Sequence, residues 1–116
     1  MATTFRKLQV FTKTTDFAKA VKVVEVPLVA PEPDRIRVRH LYAGINATDI
    51  NITAARYFTD GKVPFDIGLE AVGVVDAIGS AIPAGKFTVG QPVLVFDRSK
   101  SSGFAEYSVI GLRRFV

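Results

Sequence analysis

Apolar and polar residues alternate with a period of two along most of the chain. This pattern is typical of strands that bury one face and turn the other to water. It recurs in six segments rich in β-branched or aromatic residues, each bounded by glycine, proline or other turn formers: residues 7–12, 21–26, 35–41, 70–78, 93–96 and 104–110. Short strands at this spacing predict a mainly β protein folded as a closed or nearly closed antiparallel barrel.

Two features interrupt the alternation. Residues 46–56 do not alternate strictly, and Asn46 or Thr48 could cap a first helical turn there, so we predict a short helix or an irregular turn. In the apolar stretch 68–79, Gly68 and Gly73 stand within a strand pattern. A glycine in such a position indicates a bulge or a close backbone approach.

Length and composition narrow the class of protein. The 116 residues are enough for one domain, and 48% hydrophobic with 22% charged residues excludes a disordered chain. No apolar run approaches the roughly 20 residues of a membrane-spanning helix, so we predict no membrane partner. Since the chain lacks cysteine and shows no secretory signal at its start, we expect an intracellular, cytoplasmic protein.

Charge and histidine content argue against two further kinds of site. A net charge of +4 admits anionic ligands but is too weak to predict nucleic-acid binding. Arg35, Arg37 and Arg39 share one strand face, which could suggest an oligonucleotide-binding barrel, yet no aromatic platform separates them, and a solvated face is the better interpretation. Without cysteine, the single histidine, His40, is better explained as a core or edge residue than as a metal ligand.

Four ordered motifs carry a resemblance to a known family. They are Tyr42-Ala43-Gly44-Ile45-Asn46-Ala47-Thr48-Asp49, Pro64-Phe65-Asp66-Ile67-Gly68-Leu69-Glu70-Ala71-Val72-Gly73-Val74-Val75, Gly90-Gln91-Pro92-Val93-Leu94-Val95 and Gly103-Phe104-Ala105-Glu106-Tyr107-Ser108-Val109. Together they resemble the N-terminal, GroES-like domain of zinc-independent medium-chain dehydrogenases/reductases, of the quinone oxidoreductase and prostaglandin reductase type (zinc-binding alcohol dehydrogenase domain-containing type). The resemblance implies a partly open β-barrel with one or two short helices, spanning residues 1–116.

The family implies an NADPH-dependent reduction of quinones or enones. Its members continue into a Rossmann domain, and no Gly-x-Gly-x-x-Gly loop occurs in this chain. We therefore expect the 116 residues by themselves neither to hold NADPH nor to turn over a quinone. Such a chain would be a truncated open reading frame, a proteolytic fragment or an engineered part of the enzyme. The alternative is a stand-alone GroES-like interaction module without catalytic activity.

The resemblance also nominates site residues. Zinc-dependent relatives place a cysteine where Asn46 stands and a histidine where Leu69 stands, and since an amide and an alkyl group cannot hold zinc, no metal is expected. Asn46 matches the asparagine that faces the nicotinamide and the substrate carbonyl, so it is both a catalytic and a cofactor-binding candidate. A helix cap or an Asx turn is the structural alternative for Asn46.

Thr48 and Tyr57 are the other catalytic candidates. Thr48 matches a hydroxyl that hydrogen-bonds the substrate in zinc-dependent relatives, and Tyr57 matches an aromatic residue of the substrate cleft in quinone reductases. The alternatives are a capping threonine and a half-buried rim tyrosine. We expect Asn46 and Tyr57 to open onto a common groove.

Two carboxylates are supporting candidates. Asp49 is expected to order its loop through backbone N–H groups rather than to act as a base. Glu70 is expected near the floor of the site, with a buried ion pair to a barrel arginine as the alternative.

Without a second domain, apolar residues of the barrel would meet water. We expect this apolar patch to comprise Tyr57, Phe58, Phe104 and Phe115. Its exposure makes a homo-oligomer a reasonable hypothesis.

Overall fold

The computed structural model describes residues 3–96 and 102–111, which form seven strands and two short helices. In chain order these are β1 (Thr4–Val10), α1 (Phe17–Ala20), β2 (Val21–Pro27), β3 (Arg35–Ala43), α2 (Thr48–Thr53), β4 (Phe65–Asp66), β5 (Glu70–Ile78), β6 (Pro92–Phe96) and β7 (Tyr107–Gly111). Each predicted strand is found, and α2 lies inside the segment predicted as a short helix or turn. The four-residue α1 and the two-residue β4 were missed, because such short elements cannot display a period.

The strands form two antiparallel sheets, ordered β2-β1-β4 and β6-β5-β3-β7. Residues 104–106 connect them: the Leu8 N–H donates to the Phe104 carbonyl at 2.9 Å and the Glu106 N–H to the Arg6 carbonyl at 3.0 Å, before the chain enters β7 beside β3. We call residues 103–106 the linking segment. Strand spacing predicted a closed or nearly closed barrel, and the closed alternative is not found in the described residues, because spacing does not reveal which edges pair. The mainly β, partly open fold is confirmed.

Two hydrophobic clusters lie in the interior. The sheet cluster consists of Ile36, Val38, Ala71, Val75 and Val95, which occupy inward positions of β3, β5 and β6. The mixed cluster consists of Val10, Ala20, Ile52, Ile67 and Leu69, which come from β1, from both helices and from the loop before β5. The mixed cluster therefore lies under α2, which carries the predicted site residues Thr48 and Asp49.

Phe104 corrects the expected apolar patch. Its ring packs against the mixed cluster and meets Phe17 edge to face, with ring centroids 6.1 Å apart, so it is partly buried rather than exposed. Tyr57 and Phe58 are exposed as expected, at 39% and 41%. Phe115 lies outside the described residues.

Gly73 behaves as its position in a strand predicted. The β3–β5 register shifts between His40 and Tyr42, opposite Gly73, and a Cβ on Gly73 would overlap the carbonyl oxygen of Arg39. Both the bulge and the close backbone approach are thus present. Gly68 lies outside the strand and adopts a φ of 103°.

The arginines of β3 are less solvated than expected. Arg37 donates to Asp76 at 2.6 Å and to the Val29 carbonyl at 2.9 Å, and its side chain is only 18% exposed. Arg35 pairs with Glu32 at 3.1 Å, while Arg39 is exposed. The prediction of a solvated strand face is wrong for Arg37. Its partner Asp76 lies on the neighbouring strand β5 and is distant in sequence, so the pairing could not be read from the segment itself.

Candidate active site

The loop before α2, the first turn of α2 and the start of β5 bring the predicted site residues together. The helix begins after Ala47, which makes no side-chain capping hydrogen bond. Neither Asn46 nor Thr48 therefore acts as the side-chain cap that the sequence allowed. Their side chains are left for other contacts.

Asn46 is held by its backbone and has a free side-chain donor. Its N–H donates to Asp49 Oδ2 at 2.8 Å, and its carbonyl accepts from the Asp49 N–H at 2.9 Å. The side-chain Nδ2 is buried without a hydrogen-bond partner among the described residues. An unsatisfied buried donor costs about 1–3 kcal/mol, so a ligand oxygen that accepts from Nδ2 would recover this energy.

Asp49 is 3% exposed and makes the loop-ordering hydrogen bond to the Asn46 backbone that its position predicted. Its second oxygen, Oδ1, is buried without a partner in the described part of the chain. Burial raises the pKa of Asp49, the hydrogen bond from Asn46 opposes that effect, and the negative charge of Glu70 adds to it. Asp49 consequently holds its proton to a higher pH than an ordinary aspartate.

Thr48 and Tyr57 are joined directly, because the Thr48 hydroxyl and the Tyr57 phenol form a hydrogen bond. Ala55 and Phe58, with φ of 58° and 59°, bend the chain around Tyr57. Left-handed backbone at non-glycine residues costs about 1–3 kcal/mol each and is common at functional sites. The tight turn after α2 is thus what returns the phenol to the start of the helix.

Glu70 is placed by the two segments that flank it. The Gly44 N–H donates to its carbonyl at 3.1 Å, and a Cβ on Gly44 would overlap its carboxylate. On the other side, a Cβ on Gly103 would lie 2.7 Å from the Glu70 carbonyl oxygen. Glu70 has no ion pair with an arginine among the described residues, so that alternative finds no support there.

Sequence reasoning missed an apolar surface beside Glu70. Tyr42 pairs with Val72, and Val72 with Leu94, across three neighbouring strands, and these side chains are 76%, 45% and 68% exposed. They share a sheet face with Glu70, two residues before Val72 in β5. The signal was present in the sequence as apolar residues at the outward positions of β3, β5 and β6.

Two clefts, of about 520 and 340 Å³, lie elsewhere on the described surface. The larger is bordered by Phe5, Phe58, Phe65 and Tyr107, and the smaller by residues of β1 and the linking segment. Neither is lined by Asn46 or Tyr57. The common groove for these two residues therefore stays a prediction, although α2 and its turn bring them near each other.

Two further features concern metal ligands and the length of the helices. Within residues 3–96 and 102–111, no three His, Cys, Asp or Glu side chains gather closely enough to hold a metal ion. No helix in the same residues has the length and hydrophobicity needed to cross a bilayer.

The sequence matches a known family. The family model of the alcohol dehydrogenase GroES-like domain matches residues 32–112, which include every predicted site residue. The sequence is 40% identical to prostaglandin reductase-3 of Mus musculus over 108 residues, 92% of this chain and 28% of that protein. It is 43% identical to the "Probable quinone oxidoreductase" of Leishmania amazonensis over 79 residues, 67% of this chain and 23% of that protein.

The fold matches solved structures as well. The crystal structure of Escherichia coli quinone oxidoreductase complexed with NADPH superposes with a TM-score of 0.70 at 21% identity, covering 90% of this chain and 30% of that one. At this identity the likeness concerns the fold. The chain spans about 28% of the length of the prostaglandin reductase it matches.

Proposed function

Because the chain belongs to the alcohol dehydrogenase GroES-like domain family, we propose that it is the substrate-side part of an NADPH-dependent quinone or enone reductase of the zinc-independent branch. Its relatives include a prostaglandin reductase and quinone oxidoreductases, which supports small carbonyl compounds or quinones as substrates. A cytoplasmic location and self-association through Tyr57 and Phe58 stay predictions.

The observation that carries this proposal is the unpartnered, buried Nδ2 of Asn46. In the reduction of an enone or quinone, negative charge develops on the carbonyl oxygen. A fixed amide donor stabilises that charge without itself changing protonation state. Asn46 is suited to this task because two backbone hydrogen bonds to Asp49 hold its loop in place.

Thr48 and Tyr57 supply a second donor. The hydroxyl pair lets the phenol donate to a substrate oxygen while its own oxygen accepts from Thr48. Tyr57 is exposed enough to meet a ligand, whereas Asp49 is buried. In this arrangement Asn46 and Tyr57 bind the substrate, Thr48 orients the phenol, and Asp49 and Glu70 support the loop.

The described residues fit one end of NADPH only. The free amide donor of Asn46 suits the carboxamide or the nicotinamide face, whereas the sequence contains no glycine-rich loop for the pyrophosphate. When bound, NADPH supplies the hydride. Position 69 offers no zinc ligand, since Leu69 has an alkyl side chain that is 9% exposed and packs in the mixed cluster.

A binding experiment on the isotope-labelled chain tests the proposal. On titration with a small quinone or enone, we expect the side-chain amide signal of Asn46 to shift. Asn46→Ala should weaken binding about 2–10-fold, the worth of one hydrogen bond of about 0.5–1.5 kcal/mol. Asn51→Ala is the matched control, because Asn51 lies on the same helix but its amide oxygen accepts from Arg56.

Two outcomes would contradict the proposal. One is equal binding by wild type and Asn46→Ala, and the other is a shift confined to signals far from α2. Either result would favour a stand-alone interaction module. A parallel fluorescence titration with low micromolar NADPH should give no saturable binding to these 116 residues, because the phosphate-binding loop is missing from the sequence.

A further inference from the structure

His40 is the only histidine of the chain and plays no part in the proposed reaction. It lies on β3, and its ring Nε2 is 2.7 Å from the hydroxyl of Ser108 on the adjacent strand β7. Ser108 is 6% exposed, and the other ring nitrogen of His40, Nδ1, is buried without a hydrogen-bond partner among the described residues. The imidazole is therefore partly buried between β3 and β7, with Ser108 as its side-chain partner.

The ring lies against the linking segment. The His40 N–H donates to the Glu106 carbonyl at 2.8 Å, and the backbone of Ala105 and Gly103 lies within interaction distance of the ring. The same segment bonds to β1 on one side and to the loop before β5 on the other. There the Gly103 N–H donates to the Gly68 carbonyl at 2.9 Å and the Phe104 N–H to the Ile67 carbonyl at 3.1 Å.

We propose that the His40–Ser108 pair is a proton-sensitive latch, which holds the linking segment between the two sheets while the imidazole is neutral and loosens it in mild acid. A protonated ring would put a charge into a partly buried site whose acceptors are the Ser108 hydroxyl and the backbone of Ala105 and Gly103, with no carboxylate partner among the described residues. The linking segment would then release residues 67–70, and with them Glu70 beside the candidate active site.

Several charged groups around the latch form ion pairs elsewhere. The titratable side chains on β3 itself, on β1, β5 and β7, and on the linking segment are Arg6, Lys7, Arg35, Arg37, Arg39, Tyr42, Glu70, Asp76, Glu106 and Tyr107. Arg6 pairs with Glu106 at 3.1 Å and Lys7 with Asp66 at 3.0 Å. Asp76 pairs with Arg37 at 2.6 Å, and the carboxylate of Glu70 lies over Gly44.

The expected direction of the pH effect follows from the same surroundings. Burial lowers the pKa of His40, while the backbone of Ala105 and Gly103 favours the protonated ring and opposes the effect more weakly. Between this lowered value and the ordinary value near 6.5, the unfolded chain binds more protons than the folded chain. Stability therefore falls as the pH falls through that window.

Two measurements on the 116-residue chain test the latch. Since the chain has a single imidazole, its resonance reports the pKa directly, and we expect titration below 6.5. Urea unfolding at several pH values should show the unfolding constant rising as the pH falls through the window. The rise is limited to about tenfold per pH unit, the limit for one ionising group. His40→Gln, which keeps an amide for Ser108, should abolish this component.

The position of the effect separates a latch from a general loss of stability. In wild type, hydrogen exchange corrected for intrinsic rates should accelerate first at the amides of Gly103, Phe104 and Glu106 as the pH falls. Ser108→Ala removes the hydroxyl partner of the ring, so the amides of Gly103, Phe104 and Glu106 should exchange faster already at neutral pH; it serves as the second variant should His40→Gln fail to fold, and unchanged exchange there would also overturn the proposal. An imidazole titrating at or above 6.5, an unchanged pH dependence in His40→Gln, or uniform acceleration of exchange would overturn the proposal.

Discussion

The two hydrophobic clusters are equally buried but are assembled in different ways. The sheet cluster takes side chains from hydrogen-bonded strands at every second position, as with Ile36 and Val38 of β3. The mixed cluster instead joins residues such as Val10, Ile52 and Ile67, which lie on a strand, a helix and a loop. Pairing of strands fixes the first cluster, whereas packing of irregular segments creates the second.

This difference explains where the candidate active site lies. A regular sheet holds its side chains in fixed rows, and the close fit at Gly73 leaves little freedom to rearrange them. Above the mixed cluster, the backbone turns at Ala55 and Phe58, and buried polar atoms of Asn46 and Asp49 have no hydrogen-bond partners within the described part of the chain. The irregular region therefore offers hydrogen-bonding capacity to a ligand, while the sheet supplies rigidity.

The largest expected effect on stability comes from truncating one buried side chain in each cluster. Ile36→Ala and Ile52→Ala each remove a fully buried side chain and should each lower the free energy of unfolding by about 2–5 kcal/mol, measured by urea denaturation. Only Ile52→Ala should also shift the Thr48 and Tyr57 resonances, because Ile52 belongs to α2. Equal shifts from Ile36→Ala would show that the two clusters do not act separately.

A smaller difference is expected between two glycines. Gly73→Ala should cost about 1–3 kcal/mol, since the new Cβ meets the backbone carbonyl of Arg39. Gly44→Ala should change stability by less than about 1 kcal/mol, because its new Cβ meets the flexible end of Glu70, which can swing away. Thermal or urea unfolding of both variants gives the comparison, and a larger cost at Gly44 would mean that the carboxylate of Glu70 is rigidly held.

The smallest effect is a pH dependence at Asp49. Its folded pKa is raised, so between the ordinary and the raised value the folded chain binds more protons than the unfolded chain. The stability that Asp49 contributes therefore falls as the pH rises, opposite in sign to the effect at His40. The free energy of unfolding of the wild type minus that of Asp49→Asn, measured by urea unfolding from about pH 4 to about pH 7, should decline as the pH rises. A difference that grows with pH would contradict the raised pKa of the buried Asp49 carboxyl group.

The alternation of apolar residues was sufficient to predict each of the longer strands, β5 even to its bounds, and the mainly β class. It failed for α1 and β4, which are shorter than a recognisable period, and for the closed barrel, since pairing between edges is not written in any one segment. The candidate site could be predicted because its residues belong to local motifs. Asn46, Thr48 and Asp49 lie close together in the chain, and Glu70 lies in a characteristic strand.

The amino-acid sequence by itself thus determined the strands, the lack of thiol ligands and the family-like motifs, because period, composition and spacing are local properties. Tertiary structure decided that Thr48 bonds Tyr57, that Phe104 packs against the mixed cluster, that Arg37 is paired with Asp76, and that the ring of His40 meets Ser108. Each of these contacts joins residues on different segments. Their energies depend on the relative placement of strands and turns, which only the complete fold defines.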